Sequence, residues 1–280
     1  MTTATTRPAD PGTRPAPPGA VTIGRARIGL ELRLFARDSG QVVFSFAYPV
    51  VMLLIFASVF GDQEVSPGVG FDRYFLAGIA ATGIMLTSFQ AVGIAIAEER
   101  DRGDLGRLQV LGTPPAAYAI GKAGQVLLTT VVQLAVLLTV AALVYDIPLP
   151  TDAGRWLTFA WITLLGALAG TVLGIAVSAF VGSARSAGTG IPAIAVVLQF
   201  VSGVFFVYSE LPEVMRQVAA LFPLKWMTQG MRSVFLPDGA AAAEPAGSWE
   251  HPMTAAVLAA WVIIGVVVVA RTFRWRRSGG

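Results

Sequence analysis

Long uncharged stretches alternate with short charged ones along the chain. Uncharged runs cover residues 39–61, 74–97, 123–145, 156–184, 186–209 and 252–270. Each reaches the ~18–20 residues that cross a ~30 Å hydrocarbon core at 1.5 Å per residue. The pattern predicts an all-α integral membrane protein with a six-helix transmembrane domain over about 39–270. The fourth and fifth spans are parted only by a turn at 181–190 around Arg185, and Pro192 suits the first turn of the fifth helix. An even number of spans puts both ends on one side. The segments on that side (1–38, 98–122, 181–190, 271–280) hold fifteen Lys/Arg against five on the other, so both termini are expected in the cytoplasm.

The connecting segments carry their own patterns. Residues 1–20 are Pro/Thr/Ala-rich and expected to be a disordered tail, and 271–280 form a basic tail. Between 21 and 38 two apolar stripes, Ile28/Leu32/Phe35 and Ile23/Leu30/Leu34, alternate with arginines, which predicts an amphipathic helix lying along the membrane interface. The run 98–102 is wholly charged. A ridge of Leu105, Leu108 and Leu111 follows, ended by Gly112 and the Pro114/Pro115 pair. This suits either a solvated loop or a short helix with carboxylates at its start and an exposed leucine ridge for docking. Residues 211–236 form two amphipathic pieces broken at Pro223, too short to span, and read as external re-entrant helices. Their apolar faces, Val214/Val218/Leu221 and Trp226/Met227/Met231, are expected at the outer leaflet boundary. A flexible external loop is expected over 239–248.

Composition narrows the function. The chain is 55% hydrophobic and 13% charged, well below the ~25% charged of soluble domains. It has no cysteine and one histidine, His251, so thiolate sites, disulfides and two-histidine zinc sites are excluded. None of the uncharged runs contains an ionisable residue, which argues against ion-coupled carriers and proton pumps. Gly121 and Lys122 are followed by Ala123, and Ala116 stands where a Walker A loop requires glycine, so nucleotide binding by this chain is not expected. Gly166, Gly170 and Gly174 form an i+4 stripe in the fourth span, read as a close helix-packing face. Arginine greatly outnumbers lysine in an Ala/Gly/Val-rich chain, a usage similar to high-GC bacterial genomes.

Three features together resemble the permease subunit of type-2 ABC exporters. An amphipathic helix precedes six spans. The run from Glu99 to Leu108 (ERDRGDLGRL), then Gly112-Thr-Pro-Pro and Tyr118-Ala-Ile-Gly-Lys122, is similar to the family's E-R-E-x-G-x-L-x-x-L, T-P and Y-x-x-G-K elements. The stretch from Phe222 to Pro237 (FPLKWMTQGMRSVFLP) is similar to the family's short external helices. The pattern looks closest to daunorubicin-resistance-type permeases of actinobacteria, although Gly106 stands where the family usually has a charge. The resemblance implies a cytoplasmic coupling helix between spans 2 and 3, with Glu98, Glu99 and Arg100 at the membrane exit and Asp104, Leu105, Arg107 and Leu108 on the partner. It places Pro223, Lys225, Trp226 and Arg232 in the external helices. It also implies a second permease protomer and two copies of a separate ATPase subunit, which would bind ATP and Mg; no cofactor is expected on this chain. The cargo would be a hydrophobic drug, antibiotic or lipid-like molecule leaving through the bacterial plasma membrane, with no nucleic-acid partner. The other readings are an ATP-independent carrier and a sequestering or immunity scaffold.

Overall fold

The computed structural model describes residues 18–272; the tails expected at 1–20 and 271–280 lie almost wholly outside that range. The described chain is mostly helical. The first helix, α1 (Ala20–Arg37), meets α2 (Ser39–Phe60) across Asp38, whose carboxylate caps α2 by accepting from the Gln41 N–H at 3.0 Å. A two-stranded hairpin, β1 (Glu64–Ser66) and β2 (Val69–Gly70), follows; no alternating pattern long enough to announce it exists in the sequence. Then come α3 (Phe71–Met85), a π-helical segment Leu86–Gln90, and α4 (Ala91–Asp101), which run as one continuous span. The short α5 (Asp104–Val110) precedes α6 (Pro115–Val144), α7 (Ala153–Ser178) and α8 (Ala184–Val201). Two short helices, α9 (Glu213–Ala220) and α10 (Pro223–Phe235), lead to α11 (His251–Thr272).

Among the described residues six helices are long and apolar enough to cross a membrane: α2, the α3–α4 span, α6, α7, α8 and α11. The second span is the centre of the bundle. It is 78% buried, whereas α2, α8 and α11 are 22%, 22% and 17% buried and turn most of their apolar surface outward, as lipid-facing helices do. Small residues bring its neighbours close: a Cβ on Gly78 would lie 3.1 Å from the Val204 backbone, and one on Gly83 2.7 Å from the Gln133 carboxamide.

Span boundaries depart from the uncharged runs where a cap outranks hydropathy. The fourth span stops at Ser178, short of 184, and α8 starts at Ala184 because the Ser183 hydroxyl accepts from the Ser186 N–H. Pro192 therefore lies inside α8, not in its first turn. The fifth span ends at Val201, well before 209, where Gly203 (φ 73°) reverses the chain against Tyr208. The third span begins eight residues earlier than 123, with Pro115 in its first turn, which places Lys122 within a spanning helix. The absence of ionisable groups from the spans is therefore corrected.

Candidate functional site

The charged run at 98–102 ends the second span, and four of its five side chains reach different elements. Glu99 accepts from the Tyr118 hydroxyl at 2.8 Å and from Lys122 Nζ at 2.5 Å, both on α6. Arg100 donates to the Ser178 carbonyl at 2.5 Å, closing the C-terminus of α7, where free carbonyls and the helix dipole favour a cation. Asp101 accepts from the Ala184 N–H at 2.6 Å, at the N-terminus of α8 where a carboxylate is favoured. Glu98 and Arg102 pair along the helix at 3.4 Å, and Arg102 also reaches Asp104 at 3.3 Å. The run is thus a junction tying α4 to α6, α7 and α8, rather than a solvated loop.

Lys122 extends that junction to α1. Its Nζ, almost fully buried, lies 2.7 Å from Glu31 and 2.5 Å from Glu99, and Glu31 also pairs with Arg27 at 2.5 Å. The Arg27 guanidinium stands 5.1 Å from the centroid of the Tyr118 ring. Two cations and two carboxylates therefore meet at one buried point, and each charge has an opposite partner. This corrects the reading of α1: its Gly24/Arg27/Glu31 face, between the two apolar stripes, is the one packed inward on α6. Gly24 lies against Ile120 and Gly121 against Arg27, where no larger side chain fits. Leu30 and Leu34 remain about half exposed.

The chain leaves α4 through Gly103, whose φ of 81° favours glycine, and ends α5 at Gly112 with φ 69°. The leucine ridge is split by this geometry. Leu105 is fully buried and Leu108 half-buried, while Val110 and Leu111 are 79% and 77% exposed. Leu105 thus anchors α5, and the outward apolar surface is Val110 and Leu111, flanked by Arg107.

At the opposite end of the bundle α10 is wholly enclosed. Pro223 opens it, and Trp226, Met227 and Met231, expected to turn an apolar face outward, are buried against the bundle. Val214 and Val218 on α9, and Leu221 just after it, are exposed. Arg232, fully buried, forms a two-pronged pair with Glu244 (2.6 and 3.1 Å) and lies over the Tyr74 ring. That pair ties down the loop expected to be flexible over 239–248, which begins as a 3-10 helix, Asp238–Ala243. Lys225 donates to Gln229 at 2.6 Å, lies 3.9 Å from Glu250, and sits over the Trp226 ring at 3.4 Å. Burial pulls its pKa down to about 8, against the opposing pull of Glu250, and burial pushes the Tyr208 hydroxyl up to about 12.

The glycine stripe of α7 joins the two ends within the chain. A Cβ on Gly166 would lie 2.8 Å from Met227 of α10, one on Gly170 would collide with Ser88, and one on Gly174 would lie 2.7 Å from the Phe89 carbonyl. From α10 to Arg100, α7 is one strut packed backbone to backbone on the second span.

The family model for the ABC-2 type transporter matches residues 28–236, from within α1 to the end of α10. The chain belongs to that family. No curated protein matches it. As an ABC-2 type transporter membrane domain it is a multi-pass transport permease subunit, and the family works with an ABC ATPase subunit and membrane lipid. Of the residues singled out in the sequence, Glu98, Glu99, Arg100, Asp104, Leu105, Arg107 and Leu108 share one end of this permease, and Pro223, Lys225, Trp226 and Arg232 the other. Sequence reasoning did not single out Arg27, Glu31, Asp101 or Lys122 as site residues. The signal for Lys122 was its conjunction with Tyr118 at i,i+4; nothing local pairs it with Glu31.

Proposed function

We propose that this permease moves a hydrophobic or amphiphilic molecule out of a bacterial cell, driven by ATP hydrolysis in two copies of a separate ATPase subunit. A second permease protomer completes the complex, and ATP and Mg belong to the ATPase. Both termini face the cytoplasm, in keeping with fifteen basic residues on that side against five, so α9 and α10 lie externally and enter the outer leaflet without crossing. Among exporters of the family, the 98–122 run favours the daunorubicin-resistance type.

The observation that carries this reading is the α4–α5 corner. An exposed apolar tip, Val110 and Leu111, ends α5, which Leu105 anchors, and α5 follows directly on α4, which Glu99, Arg100 and Asp101 bind to three other spans. A push on the tip is transmitted to the bundle instead of being absorbed in a loop. The test is co-purification with ABC ATPases of the same genome. Val110→Glu with Leu111→Glu should abolish ATPase capture and ATP-driven export while membrane insertion and thermal stability are unchanged. Undiminished capture by this variant, or gradient-driven transport by the purified permease alone, would overturn the assignment.

A further inference from the structure

A cleft of about 250 Å³ lies between α2 and the second span, with Gln133 of α6 at its back. Its lining includes two ionisable groups, Asp38 and Glu98, both carboxylates; no lysine or arginine reaches it. It adjoins a larger cavity of about 650 Å³ beneath α1, and the two share Asp38, Gln41, Ala91, Ala95 and Glu98. In that larger cavity basic and acidic side chains balance only with Asp38 and Glu98 counted among them, and Arg102 there pairs with Glu98; the face these two carboxylates turn to the cleft carries no cation of its own. Both carboxylates keep capacity free. Asp38 uses one oxygen to cap α2, and the Glu98/Arg102 pair is long, at 3.4 Å, with the Glu98 side chain 44% exposed.

Above the carboxylates the walls are apolar (Phe44, Leu86, Ile94) but carry unmet polar groups. Pro49 has no N–H to offer the Ser45 carbonyl inside α2. The Ser45 side chain, more than nine-tenths buried, lines the cleft and makes no hydrogen bond with the described residues, and neither does the Gln90 carboxamide. Gln90 closes the π-helical segment, a backbone irregularity that recurs at functional sites. Unpaired polar groups at this depth are costly unless something in the cleft satisfies them.

We propose that this cleft binds a cationic amphiphile, its ammonium group between Glu98 and Asp38 and its apolar body against Phe44, Leu86 and Ile94. The proposal rests on the export-permease reading and gives its cargo a charge class. Neutral molecules of the same shape lose the ion pairs, and anions meet two carboxylates.

The test uses the full chain in phosphatidylcholine nanodiscs without ATPase, with labelled tetraphenylphosphonium as probe and protein-free nanodiscs as baseline. Saturable binding of one probe per chain is expected, displaced by dodecylamine and not by dodecanol or dodecanoate. Glu98→Gln and Asp38→Asn should each weaken it about tenfold, the loss of one charged contact. Asparagine still caps α2, and glutamine keeps the shape of Glu98, so both variants should stay monodisperse. Ala95→Phe, which fills the cleft at its junction with the larger cavity, should abolish binding without changing charge. Equal displacement by the alcohol, or unchanged affinity in both carboxylate variants, would overturn the proposal. ATPase capture on the same preparations separates the two readings: a permease that captures ATPase but shows no saturable cation binding refutes the cleft alone. Cation binding in a chain that captures no ATPase refutes the permease reading alone.

Discussion

Replacing Lys122 by Met tests the junction most directly. The change keeps the aliphatic stem but removes the cation that lies 2.7 Å from Glu31 and 2.5 Å from Glu99. Arg27 still neutralises Glu31, so one net negative charge is left on a site where Glu31 and Glu99 are almost wholly enclosed. Removing one partner of such a buried pair costs about 3–5 kcal/mol, most of it the desolvation of the charge left behind. Restoring neutrality should recover much of that loss, because replacing a whole buried ionic group with neutral side chains of similar shape is nearly neutral or stabilising. Lys122→Met is therefore expected to lower the detergent-melting temperature sharply, and Lys122→Met with Glu99→Gln to recover most of it. Coupling should follow a different order. If the junction transmits force from α5, the double variant regains stability but not ATP-driven export, since α4 is no longer ionically bound to α1 and α6. A single variant as stable as wild type, or a double variant less stable than the single one, would refute the electrostatic account.

Other positions give sharper single readings. Leu105→Glu should unseat α5 by burying a carboxylate where a leucine is fully enclosed, lowering the yield of folded permease, whereas Leu111→Glu should leave folded yield unchanged; size-exclusion profiles separate the two. Gly174→Val should cost upwards of about 1–3 kcal/mol by overpacking, because its Cβ would meet the backbone of the second span, while Gly188→Val on the open face of α8 should be tolerated, as thermal melts would show. The lowered Lys225 pKa fixes the sign of a pH effect. Below about pH 8 the folded chain must hold a proton on a buried lysine, so its stability should rise as pH goes from about 8 towards the ordinary lysine value of 10.5. Melting curves over that window should show the rise, and Lys225→Met should remove its share of it.

The membrane class and the number of spans were legible because hydropathy over ~20 residues is a local property that each helix displays by itself. Boundaries were less legible, for a physical reason. An uncharged run says where a helix can stay in lipid, whereas Ser183, Pro115 and Gly203 determine where the backbone starts, stops or reverses. Burial of charge was the least legible feature. Arg27, Glu31, Lys122, Lys225, Arg232 and Glu244 all look like surface residues one at a time, and each is enclosed only because its partner arrives from a distant part of the chain or from the next helical turn. The same reasoning explains why the leucine ridge misled. Spacing by three placed Leu105, Leu108 and Leu111 on one face, but α5 is only seven residues long and its anchoring contacts use up the first of them.

That the charges are partnered decides how the permease is put together. Apolar contacts in lipid give helices little preference for one neighbour over another, because lipid tails are as apolar as leucine. At the α1 end, register is instead specified by Glu99 on Lys122, Arg100 on the end of α7 and Asp101 on the start of α8; at the other end, by Arg232 on Glu244. Between them, Gly166, Gly170 and Gly174 bring α7 so close to the second span and α10 that it cannot shift without moving both. On the proposed coupling reading, a displacement of α5 would pass through α4 and the Arg100 contact to α7, and the first open space it would alter is the cleft beside α4, with Glu98 and Ala95 on one side and α2 on the other.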